Sequence, residues 1–249
     1  MNENIDNWEE HWEKYALAAQ LNPAQAYRHK IIISELEKTA CANLLDIGSG
    51  QGDFLYKVSK AIPQAKLCGF ELSESGVKIT KAKVPEAQAL VVDLFNPSKE
   101  SSEITNWATH ATCSEVLEHV DNPVEFLKAS RKFIRENGTI VISVPGGPMS
   151  AYDKYIGHRQ HFTKKSITKI MMEAGYKPET IMLAGFPFFN LYRLLVILRG
   201  QKLIKDTDAT SKPLSTAAQA LMQIFSRLFK WNKRNSALGW QVIAVGKKI

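Results

Sequence analysis

The sequence predicts an α/β fold in which a parallel sheet is doubly wound with helices on both faces, and three observations predict it. Short apolar, β-branched runs at 43–47, 66–70, 88–92, 109–114 and 139–144 have the length of buried strands. Helical periods at 53–61, 74–83 and 122–135 fall between most of them, the alternation that a parallel sheet with crossover helices requires. A glycine turn follows the first strand and opens a helix, the place where such a sheet takes its ligand. With 249 residues, 45% of them apolar and 23% charged, the chain has the size for one ordinary core and a small extra lobe.

Ahead of the first strand, amphipathic segments at 7–19 and 24–38 read as helices of an N-terminal unit over 1–40. The opening "MNENIDNWEEHWEKY" is acidic and helical where an export signal is basic and then apolar, so a cytoplasmic chain is expected. The main domain is expected over 41–185. Within it, "FTKKSITKIMMEAGY" reads as a helix with Thr163 as its N-cap, and an apolar run follows at 180–185. A final strand, "GWQVIAVG", falls within 237–249. Cys41, Cys68 and Cys113 are widely spaced with no C-x-x-C pair, which reads as buried reduced thiols rather than metal or redox ligands.

The turn itself, "NLLDIGSGQGDF" at 43–54, spaces its glycines as Gly48-x-Gly50-x-Gly52. A dinucleotide fingerprint would place glycine or alanine where Asp53 stands. A pyrophosphate there would also meet Asp46 and Asp53, two carboxylates that repel it. A ligand with a positive centre is favoured instead, and S-adenosylmethionine carries both a sulfonium and an ammonium group. The bland alternative is a tight turn that needs glycine for its backbone angles. Further along, strand two ends in Glu71, about 20 positions after the glycines, where a carboxylate accepts ribose hydroxyls. Strand three ends in Asp93, within reach of an adenine amine, and strand four ends in Ser114 and Glu115, beside the methionine part of such a ligand. A lone strand-end carboxylate is usually just solvated, but acids after four successive strands form a pattern.

Together, "LLDIGSGQGDF", "GFELS", "VVDLF", "ATCSEVLEHVDNPVEFLKASRKFIRENGTIVISVP" and "HFTKKSITKIMMEAGY" resemble the class I S-adenosylmethionine-dependent methyltransferases. The segment "TCSEVLEHV" is most similar to the ubiquinone-biosynthesis O-methyltransferases and their relatives. The resemblance covers 23–185 and the last strand, and its motifs specify fold and cofactor rather than acceptor. It implies a doubly wound, mostly parallel seven-stranded Rossmann-like sheet of order 3-2-1-4-5-7-6 with an antiparallel last strand. It also implies a cofactor-binding set of Arg28, Asp46, Gly48, Ser49, Gly50, Glu71, Leu72, Asp93, Leu94 and Ser114. In that set Gly48 and Gly50 pass under the methionine part, Glu71 holds the ribose, Asp93 and Leu94 face the adenine, and Ser114 makes contact through its backbone. Arg28, on the helix before strand one, is the candidate partner of the cofactor carboxylate, with a solvated helix face as its alternative.

A sulfonium is a strongly activated methyl donor, so methyl transfer asks a protein mainly to align the acceptor and exclude water. A hydroxyl acceptor must also lose a proton. If a helical turn starts after strand four, Glu115, Glu118 and His119 share one face as base and orienter, with packing of His119 as the alternative. In the quinone relatives this E-x-x-E-H pattern is associated with a divalent metal. Three ligands from one short helix leave most coordination positions to water, and no metal is assigned. His158 and His161, in "IGHRQHF", lie in a loop at the rim where acceptors approach. The catalytic expectation is His119, His161 and Glu115.

Between 186 and 236 the sequence departs from the bare fold by a helical insertion before the last strand. Its first part, "GFPFFNLYRLLVILRGQKLI", is apolar on nearly all sides; its second is amphipathic, with Leu214, Ala217, Ala218, Leu221, Met222, Phe225, Leu228 and Phe229 on one face. Arg193, Arg199, Lys202, Lys205, Lys212, Arg227, Lys230, Lys233 and Arg234 stand against Asp206 and Asp208: nine minus two gives +7, the formal charge of the whole chain. Pro187, Asn190 and Arg193 interrupt the run and argue against a membrane span. Three readings follow: a lid or homodimer face, contact with an anionic membrane surface on the inner side, or nucleic acid, disfavoured because no RNA-binding motif appears. The sequence therefore points to methylation, at oxygen, of a small-molecule or lipid-linked acceptor of quinone-precursor or glycan type. A nucleic-acid methyltransferase is disfavoured because strand four lacks an N/D-P-P-Y type of signature. A non-catalytic cofactor-binding module is the remaining alternative.

Overall fold

In a computed structural model, which describes residues 22–208 and 215–249, one sheet is built from β1 (Asn43–Ile47), β2 (Lys66–Glu71), β3 (Gln88–Val91), β4 (Ala108–Ser114), β5 (Ile134–Pro145), β6 (Tyr176–Ala184) and β7 (Gln241–Lys248). Its order is β3-β2-β1-β4-β5-β7-β6, as the family resemblance implied. The first five strands pair in parallel, and β7 runs antiparallel between β5 and β6. Side chains alternate across the sheet, so both faces are covered. Leu44 joins Ile32, Leu55, Val58 and Val141 on one side, whereas Leu45 and Ile47 join Phe70, Cys113, Leu127, Ile142 and Tyr176 on the other. All three cysteines are free and buried, and burial pushes the Cys41 thiol up to about 11 and the Cys68 thiol to about 12, as expected of inert thiols.

The helices are α1 (Pro23–Leu36), α2 (Asp53–Ala61), α3 (Glu74–Lys83), α4 (Lys99–Ser102), α5 (Pro123–Ser130), α6 (Ala151–Tyr155), α7 (Lys164–Glu173), α8 (Phe188–Asp208) and α9 (Thr216–Leu228). Local chemistry starts several of them. The Asn22 side chain accepts the Ala24 amide at 2.9 Å before α1, with proline at the first position. Thr163 caps α7 as expected, in a reciprocal box with Ser166.

Helix 122–135 proves shorter than its periodicity suggests. α5 stops at Ser130, whose hydroxyl donates to the Leu127 carbonyl at 2.7 Å and meets the Tyr176 hydroxyl at 2.9 Å. A 3₁₀ turn, Arg131–Phe133, then sets Phe133 edge-on against Phe70 at 4.8 Å, and β5 begins at Ile134 rather than at 139. The last two strands, β6 and β7, likewise extend beyond their apolar runs. Tyr176 is fully buried at the start of β6, and β7 continues to Lys248, whose ammonium donates to the Ile134 carbonyl at 2.8 Å and pairs with Glu136 at 2.8 Å.

The insertion joins β6 to β7 as α8, bent at Gly200 (φ 40°), and α9. Phe189, Phe225 and Phe229 bury themselves with Ala24 of α1, and the Tyr27 ring stands 5.5 Å from Phe229. On the amphipathic face of α9, Ala218, Met222 and Leu228 are half-buried, while Ala217 and Leu221 stay exposed. Two of the expected surface cations are engaged with the body: Arg193 pairs with Asp153 at 2.8 Å, and Arg234 pairs with Glu35. The segment 7–19, Lys212, Leu214 and the side chains of Lys205, Asp206 and Asp208 lie outside the described residues. Among those described, no helix is long and apolar enough to cross a membrane.

Candidate functional site

The glycine turn is a backbone wall at the carboxyl ends of β1 and β2. Gly48, Gly50 and Gly52 adopt φ of 73°, 55° and 77°, left-handed angles that side chains resist. A Cβ on Gly48 would meet Val116 Cγ2 at 2.4 Å, so substitution would strain backbone and packing together. The Gly48 and Ser49 amides donate to the Phe70 carbonyl at 2.8 and 2.9 Å. The Gly50 amide donates to Glu71 Oε2 at 2.8 Å, and the Ser73 amide donates to Oε1 at 3.2 Å. Glu71 therefore also clamps the turn.

Beneath the turn, Asp46 is buried and accepts the Thr112 hydroxyl at 2.7 Å. Burial above all pushes its carboxyl up to about 7; the Thr112 hydrogen bond opposes this and the charge of Glu71 adds to it. Ser49 Oγ is buried with no hydrogen-bond partner. Asp53 corrects one step of the charge argument. It pairs with Lys83 at 2.6 Å and accepts Gln51 Nε2 at 2.9 Å, so the carboxylates that crowd the turn are Asp46 and Glu71.

At the end of β3, Asp93 accepts the Phe95 amide and the Asn96 side chain, each at 2.9 Å, forming its own turn. Leu94 beside it is buried, whereas Leu72 is 53% exposed after β2.

At the end of β4, Ser114 pairs with Ser143 of β5, and Glu115 takes a left-handed φ of 56°. Glu115 Oε1 accepts Ser143 Oγ at 2.8 Å and Gln241 Nε2 at 3.0 Å, and its Oε2 faces Arg28 Nε at 3.5 Å. Arg28 is thus not on a solvated face; its side chain is 14% exposed and directed at the β4 edge. The expectation that Glu115, Glu118 and His119 share one helical face is overturned. Glu115 turns the backbone out of the helical path, and only a 3₁₀ turn, Leu117–His119, follows. Ser143 and Gln241 were missed by sequence reasoning; a glutamine opening the apolar run of β7 was the available signal.

The structure instead gathers Glu118, His119, Asp153, His158 and His161. Glu118 is fully buried with no hydrogen-bond partner on either oxygen, and burial, then the charge of Glu115, raises its carboxyl well above the usual range. His158 Nε2 stands 4.0 Å from Glu118 Oε1, and the His119 ring lies edge-on to His158 at 4.8 Å. His158 Nδ1 meets His161 Nε2 at 3.2 Å, and His161 Nδ1 faces the Gly147 carbonyl at 3.1 Å. Burial holds His158 down to about 4 against the pull of Asp153, and it lowers His161 too, so both imidazoles are neutral at neutral pH. Two of the three expected catalytic residues, His119 and His161, are joined through His158, while Glu115 sits on the Arg28 side. Because Glu115 is committed to Ser143, Gln241 and Arg28, the E-x-x-E-H residues do not present one metal-ligand set.

A family model described as a methyltransferase domain matches residues 11–181. A ubiquinone biosynthesis O-methyltransferase from Photobacterium profundum is 28% identical over 101 residues, 40% of this chain and 42% of that protein. One from Azoarcus sp. is 31% identical over 111 residues, 44% of this chain and 46% of that protein. The chain thus spans about half the length of the curated relatives it matches. Among solved structures, an S-adenosylmethionine-dependent methyltransferase from Thermotoga maritima aligns with a TM-score of 0.62 at 16% identity, covering 97% of this chain and 98% of that one, a likeness of fold.

Proposed function

The chain belongs to the class I S-adenosylmethionine-dependent methyltransferases, and from that premise we propose that it methylates an oxygen of a small-molecule or lipid-linked acceptor, of quinone-precursor or glycan type. The observation that carries cofactor binding is the glycine turn, with three left-handed glycines and flanked by the buried carboxylates of Asp46 and Glu71. Those residues suit a cationic, adenosine-bearing group: the carboxylates balance its charge, and Ser49 Oγ has an unmet hydrogen bond to offer. When bound, that group supplies a methyl carbon activated by a positively charged sulfur.

The chain's own residues then divide the work. The backbone of Gly48, Ser49 and Gly50 would hold the methionine part and Arg28 would bind its carboxylate, while Glu115, held by Ser143 and Gln241, keeps the guanidinium in place. Glu71 accepts the ribose hydroxyls, and Leu72, Asp93 and Leu94 border the adenine. Ser114 offers backbone at the β4 edge. Glu115 is in this reading a positioning residue. An imidazole takes the proton of the acceptor hydroxyl, with His119 as the base and His161 as its alternate.

The oxygen acceptor is supported by relatives whose printed names are O-methyltransferases. A lipid-linked acceptor or an anionic inner-membrane surface is supported by the insertion. Leu198 and Trp231 are 73% and 69% exposed there, among the basic residues Arg199, Lys202, Arg227, Lys230 and Lys233. We assign residues 186–236 as that lobe, 1–40 as an N-terminal unit whose Ala24 and Tyr27 pack against it, and 41–185 with 237–249 as the methyltransferase core. The test is a demethylated-cofactor release assay on phenolic, sugar-hydroxyl and amine acceptors, with the product located by NMR. A methoxy product supports the reading, and turnover confined to amines overturns it.

A further inference from the structure

The segment between β5 and α7 carries a donor set of which the methyl-transfer reading uses only His161, and that only as an alternate base. We propose that Asp153, His158 and His161 bind a divalent transition-metal ion of the zinc class. His158 Nδ1 and His161 Nε2 stand 3.2 Å apart; Asp153 Oδ1 lies 4.0 Å from His158 Nδ1 and Asp153 Oδ2 lies 3.8 Å from His161 Nε2, and one donor atom from each residue falls within 4.8 Å of the other two. Nitrogen ligands at about 2.0–2.1 Å from a tetrahedral zinc stand roughly 3.3 Å from each other, so the imidazole pair is already at ligand spacing.

The hydrogen bonds around the three residues aim them inward. Asp153 Oδ2 is occupied by the Ser150 amide at 2.7 Å, the Ser150 hydroxyl at 2.8 Å and Arg193 at 2.8 Å. Its Oδ1 is buried and has no hydrogen-bond partner. The Gly147 carbonyl can only accept, so His161 Nδ1 carries the proton and its Nε2 lone pair faces His158. On the far side of His158, Nε2 points at the buried, unpartnered carboxylate of Glu118, 4.0 Å away.

A simple hydrogen bond from His158 Nδ1 to His161 would explain that pair, but it leaves Asp153 Oδ1 and both Glu118 oxygens orphaned. A bound cation accounts for both. Asp153 Oδ1 becomes a ligand, and the proton of His158 moves to Nε2, where Glu118 receives it in a carboxylate–histidine–metal arrangement. Arg193 on Asp153 lowers the affinity without occupying the free oxygen. Two imidazoles and one carboxylate favour zinc, iron(II) or cobalt over magnesium or calcium. This donor set is distinct from the E-x-x-E-H pattern, whose Glu115 faces Arg28.

The test is titration of the chelator-stripped full-length protein with cobalt(II), read by its visible d–d absorption, followed by displacement with zinc. The expected result is saturable binding at one equivalent, weakened at least about tenfold by His161→Gln or His158→Ala and by Glu118→Gln, which removes the supporting carboxylate. His119→Ala should leave binding within about twofold, because His119 stands outside the Asp153, His158 and His161 set. Circular dichroism identifies any variant that fails to fold, and His161→Gln, at a loop position, then decides. No saturable cobalt binding by the parent, or binding that survives His161→Gln, overturns the proposal. Loss in His119→Ala with retention in His161→Gln also overturns it, placing the ion among Glu118, His119 and His158. Binding of S-adenosylhomocysteine, measured in parallel, reports on the methyltransferase reading separately.

Discussion

Glu71 accepts the Gly50 amide at 2.8 Å, so the carboxylate that closes β2 also fixes the path of the glycine turn. The two roles separate by substitution. Glu71→Gln keeps an oxygen for the amide but loses the charge; it should weaken S-adenosylhomocysteine binding about tenfold, the loss of one charge-assisted hydrogen bond, with little change in stability. Glu71→Ala leaves a buried amide unpaired and should cost about 1–3 kcal/mol in denaturant unfolding as well.

Asp46 should give the ligand equilibrium a pH dependence. Its folded pKa of about 7 lies above the ordinary aspartate value of 3.8, so the ligand-free fold holds a proton that the unfolded chain has released. The stability this group contributes is full below the lower value and is lost as pH rises through the higher one. A cationic ligand reverses the preference by favouring the anion. Binding of S-adenosylmethionine should therefore tighten between pH 6 and pH 7.5 or so, by at most about tenfold per pH unit, and more than binding of its uncharged-sulfur product. Calorimetry across that range checks this, and Asp46→Asn should flatten the slope.

Gly48 tests the cradle without touching charge. Gly48→Ala places a side chain at φ 73° and 2.4 Å from Val116 Cγ2. We expect a loss of about 1–3 kcal/mol from backbone strain, with more from the clash. Adding Val116→Ala should return only the clash component in a double-mutant unfolding cycle.

His110 should set part of the acid limit. Its ring lies between the hydroxyls of Thr39 at 2.7 Å and Thr109 at 3.0 Å, and burial, then Arg135, lowers its pKa to about 4. Between that value and 6.5 the unfolded chain binds the extra proton, so stability is lost as pH falls through the window. Unfolding free energies measured from pH 4 to 7 should fall less steeply toward acid in His110→Asn than in the parent, by up to one proton's worth of slope.

For the insertion, deleting residues 187–236 would strip Phe189 and Phe229 from Ala24 and Tyr27, so a surface variant is the better probe. Leu198→Glu with Trp231→Glu should reduce sedimentation with phosphatidylglycerol vesicles several-fold and leave the melting temperature within a few degrees. Equal recovery of parent and variant with the vesicles would remove the membrane proposal.

Much of this was legible from local pattern. The strand runs, Thr163 and the glycine turn are local signals; β1 and β2 sit where their runs placed them, whereas β5 and β6 start several residues before theirs. What escaped was set at longer range. The end of α5 is decided by Ser130 meeting Tyr176, 46 residues away, and no local period records that. The placement of Glu115 depends on a left-handed backbone and on Gln241 arriving from β7, 126 residues later. The histidines were visible as residues, but their union required Asp153, which in sequence looks like an ordinary helix-start acid. The charge tally of the insertion likewise overstated its free cations, because Arg193 and Arg234 find partners on the body.

β7 slots between β5 and β6, and its first residue, Gln241, donates to Glu115. Until β7 inserts, both flanking strands keep open edges, so their pairing is a late, long-range step of folding. A nascent chain stopped before residue 241 would hold the glycine turn yet lack the group that steadies Glu115 opposite Arg28. Docking of β7 and steadying of the Arg28–Glu115 pair are therefore one event, which ties the pocket to closure of the sheet.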